Sequence, residues 1–343
     1  PVITDCLFME NKDSAQSSGN GGGAILNCWD TSDYSSPDPP FPTSITVQNC
    51  VFLRNSTSKN GDAICNIQNP LKVVNCTFAE NGSAYGEAIY NGHYSSIYDI
   101  AAQPTISNSA IRGVSGAAGP QILDACASGS LSALSVTYSC VYGGCAGTGN
   151  IDADPLFTDL ETGDVRLTAG SPCIDSGTAE GAPDADILGI PRPQGAGVDM
   201  GAYEYDATPP NAPVVVGPGV LTNNPRPTIA WTSGGSGDGA GLYRCGFAEG
   251  LWLVQESADT SFTPTSDLSD GRYTLYVQER DISGNWSASG TCTFTLDTVA
   301  PNAPVVGGPA SPAMNPKPTW AWTSGGGGAR LYRYGYAEGT WLA

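Results

Sequence analysis

Positive charge is scarce in this chain. It carries 14 Lys plus Arg against 33 Asp plus Glu in 343 residues, a single His, and a formal net charge of -19. An acidic surface repels phosphate backbones and anionic headgroups, and no Lys/Arg cluster offsets it locally, which argues against nucleic acid and against direct membrane-surface binding. No apolar run reaches the roughly 18 residues of a membrane-spanning helix, so no segment here reads as a direct membrane insertion. Strong helical patterning is missing too: with 44 Gly and 26 Pro, turns abound and helix is disfavoured. The chain reads as all-β, long enough for two or three domains, and its 40% hydrophobic content is enough for a sizeable core.

A two-part repeat organises the first half. Phe8-x-x-Asn11, Phe52-x-x-Asn55 and Phe78-x-x-Asn81 each have Cys two positions before the Phe, and each precedes a second phrase: Gly22-Gly23-Ala24-Ile25, Gly61-Asp62-Ala63-Ile64 and Gly86-Glu87-Ala88-Ile89. Aligned on Cys6, Cys50 and Cys76, the bulky or thiol positions fall at -3, 0 and +2, whereas a strand alternation steps by 2 only. One residue per copy must therefore break the pleat. That residue is at -1 (Asp5, Asn49, Asn75, Asn108), and Asn and Asp are the non-Gly residues best suited to a left-handed corner. Short strands meeting at such corners, with the same residue type in each column, predict stacked solenoid turns. Phe then fills the core, and Asn11, Asn55 and Asn81 form a self-satisfying amide ladder. Cys6, Cys50, Cys76 and Cys140 are placed in one inward-facing column of small apolar thiols.

The paired phrases resemble the repeats of polymorphic outer membrane proteins and related right-handed parallel β-helix proteins. Further on stand Gly149-Asn-Ile-Asp152-Ala-Asp154-Pro155-Leu-Phe157, Gly170-Ser-Pro172-Cys173-Ile-Asp175-Ser-Gly177, Arg192-Pro193 and Asp199-Met-Gly201-Ala-Tyr203-Glu204-Tyr205. That ordered series is similar to the closing segment of bacterial choice-of-anchor Q domain proteins, a resemblance that implies surface anchoring. The expected domains are β-helix turns over 1–148, incomplete at their start, and a closing segment over 149–206. The closing segment is expected to cap the last turn, with Leu188, Ile190, Tyr203 and Tyr205 as its lid.

Uneven spacing locates the insertions: 44 positions from Cys6 to Cys50, 26 from Cys50 to Cys76 and 33 from Cys76 to Ser109. The excess follows the Gly-Gly-Ala-Ile strand in both long copies, at 29–42 and 92–103. These loops carry the candidate ligand-binding residues Trp29, Tyr34, Phe41, Tyr94 and Tyr98, with Asp30, Asp99 and the lone His93 as the catalytic candidates. Aromatic rings and carboxylates on a ridged face stack sugar rings and accept their hydroxyls; ordinary loop packing uses the same residues. Arg54, Lys59, Lys72 and Arg112 form no recognisable lyase set, and the column Asp5, Asn49, Asn75 offers no acid pair for hydrolysis. No cofactor is expected apart from Ca²⁺, for which Asp152, Asp154, Asp184 and Asp186 are the candidate ligands, though turns use Asp equally well.

Beyond residue 206 a tandem unit begins. Ala230-Trp231-Thr-Ser-Gly-Gly recurs as Ala321-Trp322-Thr-Ser-Gly-Gly, offset by 91, and Leu242-Tyr-Arg-Cys245 as Leu331-Tyr-Arg-Tyr334, offset by 89. Alternating runs such as Tyr273-Thr-Leu-Tyr-Val277 predict antiparallel strands, and the pattern resembles bacterial Ig-like repeats. An Ig-like domain is expected over 207–298 and the start of a second, incomplete one over 299–343, with a Cys245–Cys292 disulfide in the first. The functional expectation is a secreted or cell-surface structural or adhesin-like protein whose partners are an extracellular glycan, other surface proteins or copies of itself. The alternative is an extracellular polysaccharide lyase or glycoside hydrolase working on the loop face.

Overall fold

The structure is a computed structural model that describes residues 1–13, 21–28, 44–67, 69–82, 87–92, 103–114, 120–126, 133–235, 239–309, 311, 314–327 and 331–342. Every regular element among them is a strand, so the chain is all-β as its composition predicts. The chain divides into two compact units, Pro1–Ala207 and Thr208–Ala343.

Three parallel sheets build the first unit. One holds β1 (Val2–Thr4), β5 (Ile45–Gln48), β9 (Leu71–Val74), β12 (Thr105–Ser107) and β15 (Ser135–Thr137) in that order. The second holds β2 (Leu7–Met9), β6 (Val51–Leu53), β10 (Thr77–Ala79), β13 (Ala110–Arg112) and β16 (Cys140–Val141). The third holds β4 (Ile25–Cys28), β8 (Ile64–Ile67), β11 (Ile89–Gly92) and β14 (Ile122–Asp124). A small parallel pair, β3 (Lys12–Asp13) with β7 (Ser56–Thr57), lies between the second and third strands of the first two repeats.

Each strand pairs with its equivalent one repeat away, so identical positions form columns. Ile3, Val47, Val73, Ile106 and Val136 line the core from the first sheet; Phe8, Phe52, Phe78, Ile111 and Val141 from the second; Ile25, Ile64, Ile89 and Ile122 from the third. The Phe rings stack face to face, at 4.8 Å between Phe8 and Phe52 and 4.7 Å between Phe52 and Phe78, each pair tilted by only 3°. Parallel in-register strands lie about 4.8 Å apart, so the ring spacing follows from the strand spacing.

Corners join the sheets. Asp5, Asn49, Asn75 and Asn108 have φ of 54°, 51°, 49° and 50°, the left-handed corner that their residue types predict, and Tyr138 continues the column at 46°. A second left-handed column runs through Glu10 (56°), Arg54 (54°) and Glu80 (50°), just before the Asn ladder. There the strain is offset by neighbours: Asn11 Nδ2 donates to Asn55 Oδ1 at 2.8 Å, Asn55 Nδ2 to Asn81 Oδ1 at 2.9 Å, and Arg54 bridges Glu80 at 3.0 Å.

The thiol column differs from its expectation by one position. Cys50, Cys76, Ser109 and Ser139 occupy it, linked by Cys50 N to Cys76 Sγ at 3.4 Å, Cys76 N to Ser109 Oγ at 3.4 Å and Ser109 N to Ser139 Oγ at 3.2 Å. Cys140 instead pairs in register with Ala110 and faces outward, because a one-residue slip turns a strand side chain to the opposite face.

The segment after the last repeat does two jobs rather than one. Residues 143–151 close the end of the stack: Ile151 N donates to Ser139 O, and Val141 N to Ile151 O, both at 2.9 Å. Asn150 stands in for a further repeat, accepting Ser139 N at 3.0 Å and donating to Val136 O at 3.1 Å. The remainder, including the antiparallel pair β17 (Phe157–Asp159) and β18 (Asp164–Leu167), runs back along the outer face of the second sheet as a strap. Val165, Ala202 and Tyr203 pack on Val51, Leu53 and Ala79, while Leu167, Cys173, Met200 and Tyr205 pack around Ala110 and Cys140. The expected lid residues Tyr203 and Tyr205 thus cover a side, not an end. The reason is the outward column of that sheet, which is apolar and needs covering along its length.

The first copy of the repeat in the second unit has two sheets. β19 (Val214–Val216), β21 (Ile229–Thr232) and β24 (Ser261–Phe262) form one; β20 (Leu221–Thr222), β26 (Gly290–Leu296), β25 (Gly271–Asp281), β22 (Gly239–Gly246) and β23 (Val254–Ser257) form the other. Ile229, Trp231, Tyr243, Cys245, Leu275, Val277 and Phe294 make the core of this unit. The second copy of the repeat shows β27 (Val305–Gly307) paired with β28 (Ala321–Thr323), and there Trp320, Trp322, Tyr332, Tyr334 and Tyr336 line an open groove.

Candidate functional site

The two longest insertions leave the stack from equivalent points. β4 ends at Cys28 and β11 at Gly92, and both residues pair with Ile67 at the end of β8, whose connection to β9 is short. The insertions therefore start on either side of a short turn, along one rim. The candidates they carry (Trp29, Asp30, Tyr34, Phe41, His93, Tyr94, Tyr98 and Asp99) lie outside the described residues.

The rim itself is pinned by a second amide ladder. Asn27 Nδ2 donates to Asn66 Oδ1 at 2.7 Å, Asn66 to Asn91 at 2.8 Å, and Asn91 to Asp124 Oδ1 at 2.9 Å. Asp124 accepts without donating, so the ladder ends there, with Cys126 N at 3.2 Å and Leu134 N at 2.9 Å on the same carboxylate. This ladder went unread in the sequence. Its signal is a polar amide or acid two positions after each Ile of the second phrase: Ile25 to Asn27, Ile64 to Asn66, Ile89 to Asn91, Ile122 to Asp124. Outside it runs the column Leu26, Cys65, Tyr90 and Leu123, of which Leu26 is 45% and Leu123 36% exposed.

Two carboxylates of successive repeats lie at the other ends of these strands, just before β8 and β11. Asp62 N donates to Glu87 O at 2.9 Å, and the Asp62 carboxylate accepts Thr57 N at 2.8 Å. Burial, then the charge of Asp62, raises the Glu87 carboxyl above the usual range, and its Oε1 has no partner. Both residues are sealed from solvent, whereas a glycosidic bond must sit between its two acids.

Three of the four Ca²⁺ candidates use their carboxylates to accept backbone N–H groups. Asp152 accepts Gly143 N at 3.0 Å, and Asp154 accepts Leu156 N at 3.0 Å and Arg112 Nε at 3.2 Å. Asp186 accepts Leu188 N at 2.8 Å and both Ile190 N and Glu204 N at 2.9 Å, while Asp184 offers its carbonyl to Arg192 N at 2.9 Å. Among the described residues no three His, Cys, Asp or Glu side chains are grouped to hold a metal ion.

At the centre of the strap a buried ion pair joins Arg192 to Glu204 at 2.5 Å, each side chain 1% exposed. Asp199 lies beside it, accepting Asp175 N at 2.7 Å and Tyr205 N at 2.6 Å. Burial is the largest influence on all three: it pushes Asp199 up to about 7, raises Glu204 and lowers Arg192.

In the second unit the expected Cys245–Cys292 bridge does not form; both thiols are free. Cys245 pairs with Val277 and Cys292 with Leu275, so they flank β25 on opposite sides. Two strand spacings, roughly 9.5 Å, exceed the Cα separation of about 7 Å that a disulfide tolerates. The outer face of the same sheet holds a feature that sequence reading missed: Arg244 lies between Trp252 and Trp286, 4.6 and 4.2 Å from their ring centres. Arg333 and Trp341 repeat half of it at 4.4 Å, with the offset of 89 that relates Arg244 to Arg333 and Trp252 to Trp341.

A family model matches within the second unit. Residues 219–298 match the model of the bacterial Ig-like domain. Exoglucanase B of Cellulomonas fimi is 32% identical over 148 residues, which is 41% of this chain and 13% of that protein, so the chain spans about an eighth of the relative's length. The PKD domain of an M14-like peptidase from Thermoplasmatales archaeon SCGC AB-540-F20 is 27% identical over 26% of this chain and 96% of its own, at a TM-score of 0.20. The chain is all-β and contains a bacterial Ig-like domain, a combination that fits an extracellular protein.

Proposed function

We propose that the first unit is a right-handed parallel β-helix, displayed on Ig-like spacers by a secreted or surface-anchored protein, and that it acts without catalysis as an adhesin-like glycan binder. The observation that carries this reading is the rim: its amide ladder is satisfied within the stack, and the two longest insertions start from equivalent positions on one edge. Loops on a rigid scaffold are where recognition concentrates, and these carry Trp29, Tyr34, Phe41, Tyr94 and Tyr98. The resemblance of residues 136–205 to choice-of-anchor Q segments supports the surface setting.

A second reading, a lyase or hydrolase of extracellular polysaccharide, draws on the similarity to an exoglucanase. One assay separates the two. The chain is incubated with immobilised neutral and uronate polysaccharides, and both retained protein and released sugar are measured. The binder reading expects saturable retention with no new reducing ends or unsaturated products. Product release that disappears on His93→Ala or Asp30→Asn would establish the enzyme instead.

A further inference from the structure

Cys140 and Cys173 come from facing layers of the first unit. Cys140 is on β16, turned outward by its register with Ala110; Cys173 is on the strap, where its carbonyl accepts Met200 N at 3.0 Å. Both are free thiols, fully buried in one cluster with Ala110, Leu167 and Met200, and each is the largest influence on the other's titration. They lie 33 positions apart, and between them the chain closes the stack, forms β17 and β18, and begins its return along the sheet.

The pair Cys50 and Cys76 differs in geometry. Cys50 and Cys76 sit in the same column of neighbouring in-register strands, so their Cα–Cβ bonds run side by side about 4.8 Å apart. Each of those thiols donates to the carbonyl two positions before it, Cys50 to Gln48 O at 3.1 Å and Cys76 to Val74 O at 3.3 Å, and Cys140 likewise donates to a carbonyl, Ala153 O at 3.4 Å. A disulfide needs Cβ atoms near 3.8 Å and a dihedral near 90°, which side chains converging from two layers reach more readily than parallel neighbours in one sheet.

We propose that Cys140 and Cys173 form a disulfide that fastens the strap to the stack. The two thiols give up two protons and two electrons. The Cys173 or Cys140 thiolate attacks a low-molecular-weight disulfide such as oxidised glutathione, releasing one glutathione thiol. The second thiolate then attacks the mixed disulfide and releases the other. Because the thiols are sealed in the folded chain, the bond forms during folding, before the strap is seated.

The test uses the whole chain, unfolded and reduced, then refolded in a glutathione redox buffer. It is next denatured in an alkylating reagent without reductant and digested for mass spectrometry. The expected result is a peptide containing Cys140 joined to one containing Cys173, converted to two alkylated peptides by prior reduction, with Cys50 and Cys76 alkylated throughout. Refolded chain in which both Cys140 and Cys173 are fully alkylated would overturn the proposal, as would a bond from either to a different cysteine. A second measurement does not depend on a variant folding: dithiothreitol should lower the thermal midpoint of the oxidised wild-type first unit and leave that of the second unmoved. An unchanged first-unit midpoint, with reduction of the bond verified, would refute its role as a fastening.

Discussion

Asn108 and Thr178 are bound reciprocally. The Asn108 amide donates to Thr178 O at 2.7 Å and accepts Thr178 N at 2.8 Å, so one side chain replaces a full step of β-pairing between stack and strap. The same corner column repeats the device, with Asn75 donating to Asp199 O at 3.0 Å and Asn49 to Ala185 O at 2.7 Å. The corner residues thus turn the chain and also hold the strap.

Asn108→Ala removes both bonds and leaves a β-carbon at φ 50° without its local compensation. We expect a loss of about 3 kcal/mol in denaturant unfolding, of which about 1 to 2 kcal/mol is left-handed strain. Asn108→Gly relieves the strain but not the lost bonds, so it should be the milder change. Equal losses for the two would show that the turn carries no strain.

Phe52 has a ring stacked on each face and no solvent exposure. Phe52→Ala should cost about 3 to 5 kcal/mol and Phe52→Leu distinctly less, since the leucine refills part of the cavity. Urea titration followed by tyrosine fluorescence or circular dichroism reads both.

In the rim ladder, a donor matters at every position except the last, Asp124. Asn66→Asp removes the donor that serves Asn91 and Asn69 O, and should cost about 1 to 3 kcal/mol. Asp124→Asn keeps an acceptor at the ladder's end and should cost less. The reverse order in thermal unfolding would show that the ladder is not directional.

These columns also mark how far the sequence could be read. Asp5, Asn49, Asn75 and Asn108 announce their corner because Asn and Asp tolerate it. Glu10, Arg54 and Glu80 do not, because a charged residue has no such tendency and its φ is imposed by the ladder beside it. Sequence alone cannot choose between Ser139 and Cys140, because both are small enough for the inner column and only pairing decides between them. The strap differs from the expected end cap because sequence shows that Tyr203 and Tyr205 are large and ring-bearing, not which surface they cover. The Cys245–Cys292 bridge failed because two cysteines in neighbouring predicted strands can have a third strand between them.

The strap core should make stability depend on pH. Burial raises Asp199 to about 7 in the folded chain from an ordinary 3.8, and raises Asp186 and Glu204 in the same direction. The folded state therefore holds a proton that the unfolded state releases between about pH 4 and 7. That stabilisation is fully present below about pH 4 and lost as pH rises through 7. Apart from other titrations, the first unit should unfold at lower denaturant at pH 8 than at pH 5, and Asp199→Asn should flatten that difference. A midpoint that rises from pH 5 to pH 8 in the wild type and not in the variant would contradict the assignment.

The Arg244 stack should hold the outer face of the Ig-like sheet. Arg244→Ala should cost the second unit about 1 to 2 kcal/mol, and Arg244→Lys should recover little, because the flat guanidinium fits between Trp252 and Trp286 as an ammonium does not. Tryptophan fluorescence during thermal unfolding follows both.

The central claim is that the stack is scaffold and the rim loops are the recognition surface. It is tested most directly by replacing residues 29–44 and 93–104 with the connection of the short repeat, 68–70, which joins the same strand ends. The shortened chain should keep its circular dichroism and cooperative unfolding but no longer bind the polysaccharide retained by the wild type. Undiminished binding by the shortened chain would contradict it.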